Sequence, residues 1–396
     1  MRRTASFSTR TAWDVTESAL AQAIRERSEA GLPLLDLTAS NPTRCGFAYD
    51  EAAILAALHD AKSLVYDPNP RGILSARETV AAYYADHGAA IDPERIFLTT
   101  STSEAYSYLF RLLADPGEEV LIAQPSYPLF DFLAQLDDVR LTPYPLFYDH
   151  GWQIDFESLR RRITPGTRAI ALVHPNNPTG HFTRPDERRE LELLCAEHGL
   201  ALIVDEVFLD YGLRDSGGES FASGQHPALT FVLSGLSKIS ALPQMKAAWI
   251  AAFGPETEVQ TALDRLEVIA DTFLSMNAPV QHALPAWLAR RGEIQSQIMT
   301  RLAENLETLD SALRAQGMVS RLDVEAGWYA VLRVPALVPD EELAVQLIRE
   351  PGVSVHPGHF FGFPESGWLV LSLLTPEAEF RSGVDIILSV FSSLRG

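Results

Sequence analysis

The chain has 396 residues, more than one hydrophobic core usually holds, so it should divide into a large and a smaller substructure. With 46% hydrophobic and 21% charged residues its composition is that of a globular protein, not a disordered or fibrous one. A formal charge of −20 argues against a nucleic-acid surface, because neutralising phosphates needs clustered Lys and Arg.

In chain order, the opening stretch MRRTASFSTRTAW has an arginine pair but no apolar run behind it, so neither a secretory nor a twin-arginine export signal is complete. Asp14-Val15-Thr16-Glu17 and the amphipathic run to Gly31 predict a helix with Asp14 as its N-cap and Glu17 reaching back. Ser75-Ala76-Arg77-Glu78 predicts the same device before a helix that stops at Gly88. Between them, the Pro/Gly-rich stretch from Asp67 to Gly72 reads as a loop within a domain. Short apolar runs then alternate with helical stretches. The runs are RIFLTT (95–100), EVLIA (119–123), RAIALVH (168–174), LALIVD (200–205) and LTFVLS (229–234); the helices include SEAYSYLFRLL (103–113) and RPDERRELELLCAEHG (184–199). Near-continuous apolar strands between amphipathic helices predict an α/β domain with a parallel sheet buried on both faces. From about Val259 helical periodicity runs through Leu313, followed by β-rich stretches at Gly327 to Pro335 and Trp368 to Leu374, which predicts a second, α+β domain.

No internal repeat or low-complexity segment is present, and no apolar stretch is long enough to span a bilayer. The two cysteines, Cys45 and Cys195, have neither zinc-ligand nor CxxC spacing, which points to a reduced, cytoplasmic setting and no disulfide scaffold.

Ligands of doubly wound sheets sit beyond the carboxyl ends of the strands, so the residues that terminate each run carry the functional signal. Here they are Ser101-Thr102-Ser103 opening a helix, Pro125-Ser126-Tyr127, Asn176-Asn177-Pro178-Thr179-Gly180, Asp205 and Lys238. Each alone is a cap, a turn or a surface charge. Together, one sheet edge would gather hydroxyls at a helix start, an aromatic ring, an amide, a carboxylate and a lysine.

PNNPTG, IVDEV and SGLSK, at these intervals, resemble the class I/II aminotransferases of the fold-type I pyridoxal-phosphate enzymes, from about Leu35 to Leu374. The resemblance implies a large domain with a mostly parallel seven-stranded sheet between helices and a smaller α+β domain. Residues 1–50 would be an N-terminal segment of the small domain, 51–275 the large cofactor-binding domain and 276–396 the C-terminal small domain. It implies pyridoxal 5′-phosphate as cofactor and Lys238 as the Schiff-base lysine. Burial suits that role, because the amine must lose its proton to attack an aldehyde. Asp205 would face the pyridine nitrogen, Asn177 would donate to the ring's O3′, Tyr127 would stack on the ring, and Ser101, Thr102 and Ser103 would hold the phosphate at a helix N-terminus. Tyr66 would reach the phosphate of a neighbouring subunit in a homodimer, and Asn41 would lie near the bound amino acid.

Three positions depart from the family's pattern. Lys246 stands where relatives place an arginine against the phosphate, and a lysine lacks the paired fork. Phe208 stands where many carry a tyrosine, and a phenyl ring cannot bond O3′. Val370 falls where an arginine would grip the substrate carboxylate, leaving Arg333, Arg44, Arg71, His356 and His359 as substitutes, or else a substrate that is not a standard α-amino acid. The leading expectation is therefore an aminotransferase that moves an amino group between an amino acid or amine and a 2-oxo acid. A β-elimination lyase on the same cofactor is the alternative, and a non-catalytic cofactor sensor the least favoured.

Overall fold

A computed structural model gives the structure of residues 7–127, 130–213 and 218–393; the Arg2-Arg3 pair lies outside them. The apolar runs become the strands of one sheet: β1 (Ile96–Thr99), β2 (Glu119–Gln124), β3 (Arg140–Tyr148), β4 (Trp152–Ile154), β5 (Thr167–Val173), β6 (Ala201–Asp205), β7 (Thr230–Gly235) and β8 (Ala248–Phe253). Their spatial order is β1-β8-β7-β6-β5-β2-β3-β4. From β7 to β3 neighbours run parallel. β8 is antiparallel to both β1 and β7. The seven expected strands are thus joined by a three-residue eighth, β4, antiparallel at the edge.

Side-chain alternation divides the core between the two sheet faces. Leu202, Val204, Trp249 and Ala251 pack into one cluster, and Ala201, Ile203, Ile250 and Ala252 into the other. The second cluster is closed by the helices Thr102–Leu113 and Glu256–Phe273, the latter through Val259, Leu263 and Leu266.

A smaller antiparallel sheet has the order β9-β10-β12-β11, from β9 (Ser320–Arg321), β10 (Tyr329–Arg333), β11 (His356–Pro357) and β12 (Trp368–Ser372). The early segment Leu35–Asp36 pairs parallel with Val353–Ser354. Ala23 of the helix Ala19–Glu29 packs with Val345 and Ile348. Chain ends far apart in sequence therefore build one substructure.

Several helix boundaries differ from expectation. The first helix begins at Ala19 with Ser18 as its N-cap; Asp14 instead accepts from Thr16 N at 2.9 Å, and Glu17 holds Arg25 at 2.9 Å. The next long helix starts at Leu74 with Ile73 as its N-cap and no side-chain cap bond, so Ser75 lies inside the first turn; the Ile73 N–H donates to Gln281 Oε1 at 2.7 Å. The periodicity from Val259 to Leu313 is three helices, Glu256–Phe273, Ala278–Ala289 and Arg291–Arg314. The first break falls at Leu274, at φ 68°, and Asn277 caps the second helix. Cys45 and Cys195 are buried free thiols, and among the described residues no helix is long and apolar enough to cross a membrane.

Candidate active site

At the carboxyl edge of the large sheet a cavity of about 190 Å³ is lined by Thr102, Ser103, Tyr127, Asn177, Asp205 and Lys238, and by Ser40, Tyr106, Phe208 and Tyr329. A larger groove of about 1010 Å³ lies elsewhere, around Arg184, Arg188 and Phe221. It holds none of the strand-end residues, so size alone does not mark the site.

Each lining group is placed by a local device. Beyond β1, Ser101 takes an extended N-cap conformation and its hydroxyl accepts from Glu104 N at 3.1 Å, while Glu104 accepts from Thr100 N at 2.6 Å. This cap occupies the Ser101 hydroxyl and sets Thr102 and Ser103, on the first turn of the helix Thr102–Leu113, in the cavity lining. Beyond β2, Asn176 Nδ2 donates to Pro125 O at 3.2 Å and to Thr179 Oγ1 at 2.8 Å, tying the segment before Tyr127 to the one that carries Asn177. Asn177 is buried, and its Oδ1 has no hydrogen-bond partner among the described residues.

Asp205 ends β6 almost fully buried, and its carboxylate accepts from Val207 N at 3.1 Å. Burial pushes this carboxyl up to about 7, against the opposing pull of the Val207 N–H, the Lys238 charge and the Tyr106 hydroxyl. Lys238 follows β7 in the short helix Leu236–Ile239. Gly235 precedes it because a Cβ there would meet Ala247 O and Ala248 Cβ, each at 2.8 Å; only glycine lets the turn close against β8. Burial draws the Lys238 amine down to about 8, against the raising effect of Asp205.

Gly180, at φ 70°, docks the Asn177 loop on the small sheet's approach segment: its carbonyl accepts from Ala326 N at 2.8 Å, and a Cβ would collide with Ala326 O. Trp328 and Tyr329 are thereby carried to the site. The sequence reading missed both, along with Tyr106 and Ser40. Tyr329 and Trp328 lay inside a stretch read only as β-rich, and nothing local separates a site aromatic from a core one.

Four expected residues lie outside the cavity lining: Ser101, whose hydroxyl is taken by the helix cap, and Lys246, Tyr66 and Asn41. Lys246 is exposed and left-handed at φ 53°. Tyr66 is 74% exposed on a loop. Asn41 caps the turn Pro42–Arg44 through Thr43 N at 3.1 Å. None of the five substitute cations lines the cavity either. Arg71 is paired with Glu94 and Glu267, Arg333 lies over the Trp368 ring at 5.2 Å, His356 stacks on Phe360 at 5.3 Å, and Arg44 and His359 are exposed. Val370 is fully buried between its partners Val331 and His356.

The profile of the family described as "Aminotransferase class I and II" matches residues 34–387. Alanine aminotransferase of Mycobacterium tuberculosis is 27% identical over 366 residues, covering 90% of this chain and 85% of that protein. Glutamate-pyruvate aminotransferase AlaA of Escherichia coli is 27% identical over 273 residues, 69% of this chain and 67% of that one. The fold matches that of alanine aminotransferase from Pyrococcus furiosus with a TM-score of 0.88 at 22% identity, over 98% and 100% of the two chains. With the strand-end residues gathered at one sheet edge and the family profile matched over most of its length, the chain belongs to the class I and II aminotransferases.

Proposed function

We propose that this aminotransferase holds pyridoxal phosphate in the cavity at the sheet edge and passes an amino group from an amino acid to a 2-oxo acid, with Lys238 as anchor and proton carrier. The observation that carries the reading is the pairing, in one cavity, of a buried carboxylate at the end of β6 with a lysine whose amine burial makes easy to deprotonate. The residues suit the cofactor. Asp205 is a buried carboxyl that a pyridinium N–H would satisfy, Asn177 is buried in the cavity lining with an amide NH₂ able to donate to a ring oxygen, and the helix Thr102–Leu113 opens its N-terminus on the cavity.

When bound, pyridoxal phosphate supplies a carbonyl that links to amines and a ring that withdraws electrons from them. Asp205 holds the ring nitrogen in its protonated form, and Asn177 orients the ring oxygen. The N–H groups and hydroxyls of Thr102 and Ser103 receive the phosphate, Ser101 keeps that helix start in shape, and Tyr127 forms one wall. Lys246 serves the phosphate as a point charge and Asn41 borders the substrate. Tyr66 completes the site of a second copy in a homodimer, which its exposure in the single chain suits. With the cofactor in place, the Lys238 amine would be the group that takes, holds and gives back the proton of the substrate's Cα. A β-elimination lyase is not favoured, since the relatives named above are aminotransferases.

The test is a panel of amino donors added to the loaded protein, with its visible absorption followed. Amino transfer predicts that the band is lost with the donor and restored by a 2-oxo acid, with the matching oxo product formed. Release of ammonia and pyruvate without that cycle would overturn the reading in favour of the lyase.

A further inference from the structure

Two side chains against Lys238 have no task in this scheme. The lysine Nζ lies 4.7 Å from the ring centroid of Trp328 and 5.5 Å from that of Phe208. The two rings meet edge to face with centroids 5.4 Å apart, and Tyr211 packs on Trp328 at 5.1 Å. Trp328 is fully buried, and its Nε1 has no hydrogen-bond partner among the described residues, so no polar contact of the indole tip accounts for a tryptophan here. The Tyr211 hydroxyl donates to Lys238 O at 2.6 Å, and the Tyr211 carbonyl accepts from Gly327 N at 2.9 Å. One aromatic cluster thus fixes the lysine's backbone, the approach of Trp328 and the surroundings of the amine.

We propose that the ring faces of Trp328 and Phe208 form a resting site for the Lys238 ammonium, occupied whenever the lysine holds the proton drawn from substrate, and that Trp328 is thereby a positioning residue for proton transfer. The inference rests on the reading of Lys238 as proton carrier. The proton balance is simple: the neutral amine's lone pair takes the proton to give –NH₃⁺, and the same proton leaves again, restoring the amine. The physical problem is the charged interval. Burial disfavours the ammonium, and Asp205 is the one anionic group in the lining to balance it. An aromatic face supplies negative potential without adding a second carboxylate, which would trap the proton. The other titratable groups around the amine are Asp205 and the hydroxyls of Tyr106, Tyr127, Tyr211 and Tyr329; Asp205 is the one carboxylate among the cavity-lining residues. Without the rings, the balance between burial and Asp205 moves toward the neutral amine.

The experiment compares wild type with Trp328→Leu, Trp328→Phe and Phe208→Leu. In the full-length chain before cofactor is added, the pH dependence of Lys238 acetylation is read by peptide mass spectrometry; in the loaded enzyme, the pH profile of kcat is measured. In both, Trp328→Leu should lower the Lys238 midpoint by about one pH unit, so that about tenfold more neutral amine is present below it. Trp328→Phe, which keeps a ring face, should stay within about twofold of wild type. Phe208→Leu should shift in the same direction by less, and it decides the matter if Trp328→Leu does not fold. An unchanged or raised midpoint in the leucine variants would overturn the proposal and leave Trp328 a packing residue. Failure of the amino-transfer reading would show separately, as a visible band that no donor alters while the acetylation midpoints still move.

Discussion

Glu119 opens β2 at the end of the sheet opposite the cavity, and it offers a sharp test of how the parallel strands are pinned. Its side chain is almost fully buried and accepts from Thr142 at 2.8 Å, Thr167 at 2.9 Å and Arg140 at 3.0 Å, with Thr164 as a further donor. Burial alone would raise the carboxyl, but these hydrogen bonds outweigh it and hold the group at about 2, against 4.5 in an unstructured chain. A folded pKa below the unfolded one means that the contribution is complete above pH 4.5 and is lost as pH falls toward 2. The difference corresponds to about 3 kcal/mol. Glu119→Gln keeps the shape and removes the charge, so urea unfolding should find it less stable by about 2–3 kcal/mol at neutral pH. The gap between variant and wild type should close as the medium is acidified through the carboxylate range. A gap that is absent at neutral pH, or that persists unchanged into acid, would refute this account of the strand ends.

Other outcomes follow from the same structure. Ser101→Ala removes the N-cap of the helix Thr102–Leu113; it should cost about 1 kcal/mol of stability and weaken cofactor binding, both readable by thermal melts with and without pyridoxal phosphate. His174 and His181 are buried and held near 3, mainly by burial, against an ordinary 6.5. The unfolded chain binds protons that the folded one refuses, so stability falls as pH drops from 6.5 toward 3, and His181→Gln should flatten part of that slope in pH-dependent unfolding. With Lys238 as the one cation lining the cavity among the described residues, aspartate, which carries two carboxylates, should be at least about tenfold poorer than alanine in kcat/KM, a difference of about 1.4 kcal/mol in transition-state binding. Equal turnover would place a further cation in the assembled site. Leu64, Val65 and Tyr66 are consecutive and strongly exposed at 90%, 67% and 74%; Leu64→Asp should shift the species seen in sedimentation toward monomer if this stretch meets a second copy.

The large sheet was legible because strands buried on both faces leave continuous apolar runs, and the residues that end those runs fall at the ligand edge by topology alone. That reasoning brought Thr102, Ser103, Tyr127, Asn177, Asp205 and Lys238 to one cavity. It worked less well where competition between partners decides. Asp14 looked like a cap, but its side chain folds back on Thr16, and Glu17 goes to Arg25. Ser75 falls inside a helix that starts at Leu74, and the N–H of the cap residue Ile73 is taken by Gln281, about two hundred residues on. The break at Leu274 depends on a left-handed residue that is not glycine, which no composition rule flags. Trp328, 90 positions after Lys238 in the sequence, reaches the lysine through the docking of Gly180 on Ala326 and of Gly327 on Tyr211. Contacts of that range depend on tertiary structure, and a single sequence does not disclose them.

The most direct test of the central claim is to load the protein with pyridoxal phosphate, reduce it with borohydride and map the modified peptide by mass spectrometry. The cofactor should be fixed on Lys238 alone, and Lys238→Ala should yield no modified peptide and no amino transfer while remaining folded. Attachment at another lysine, or transfer that survives Lys238→Ala, would contradict the account.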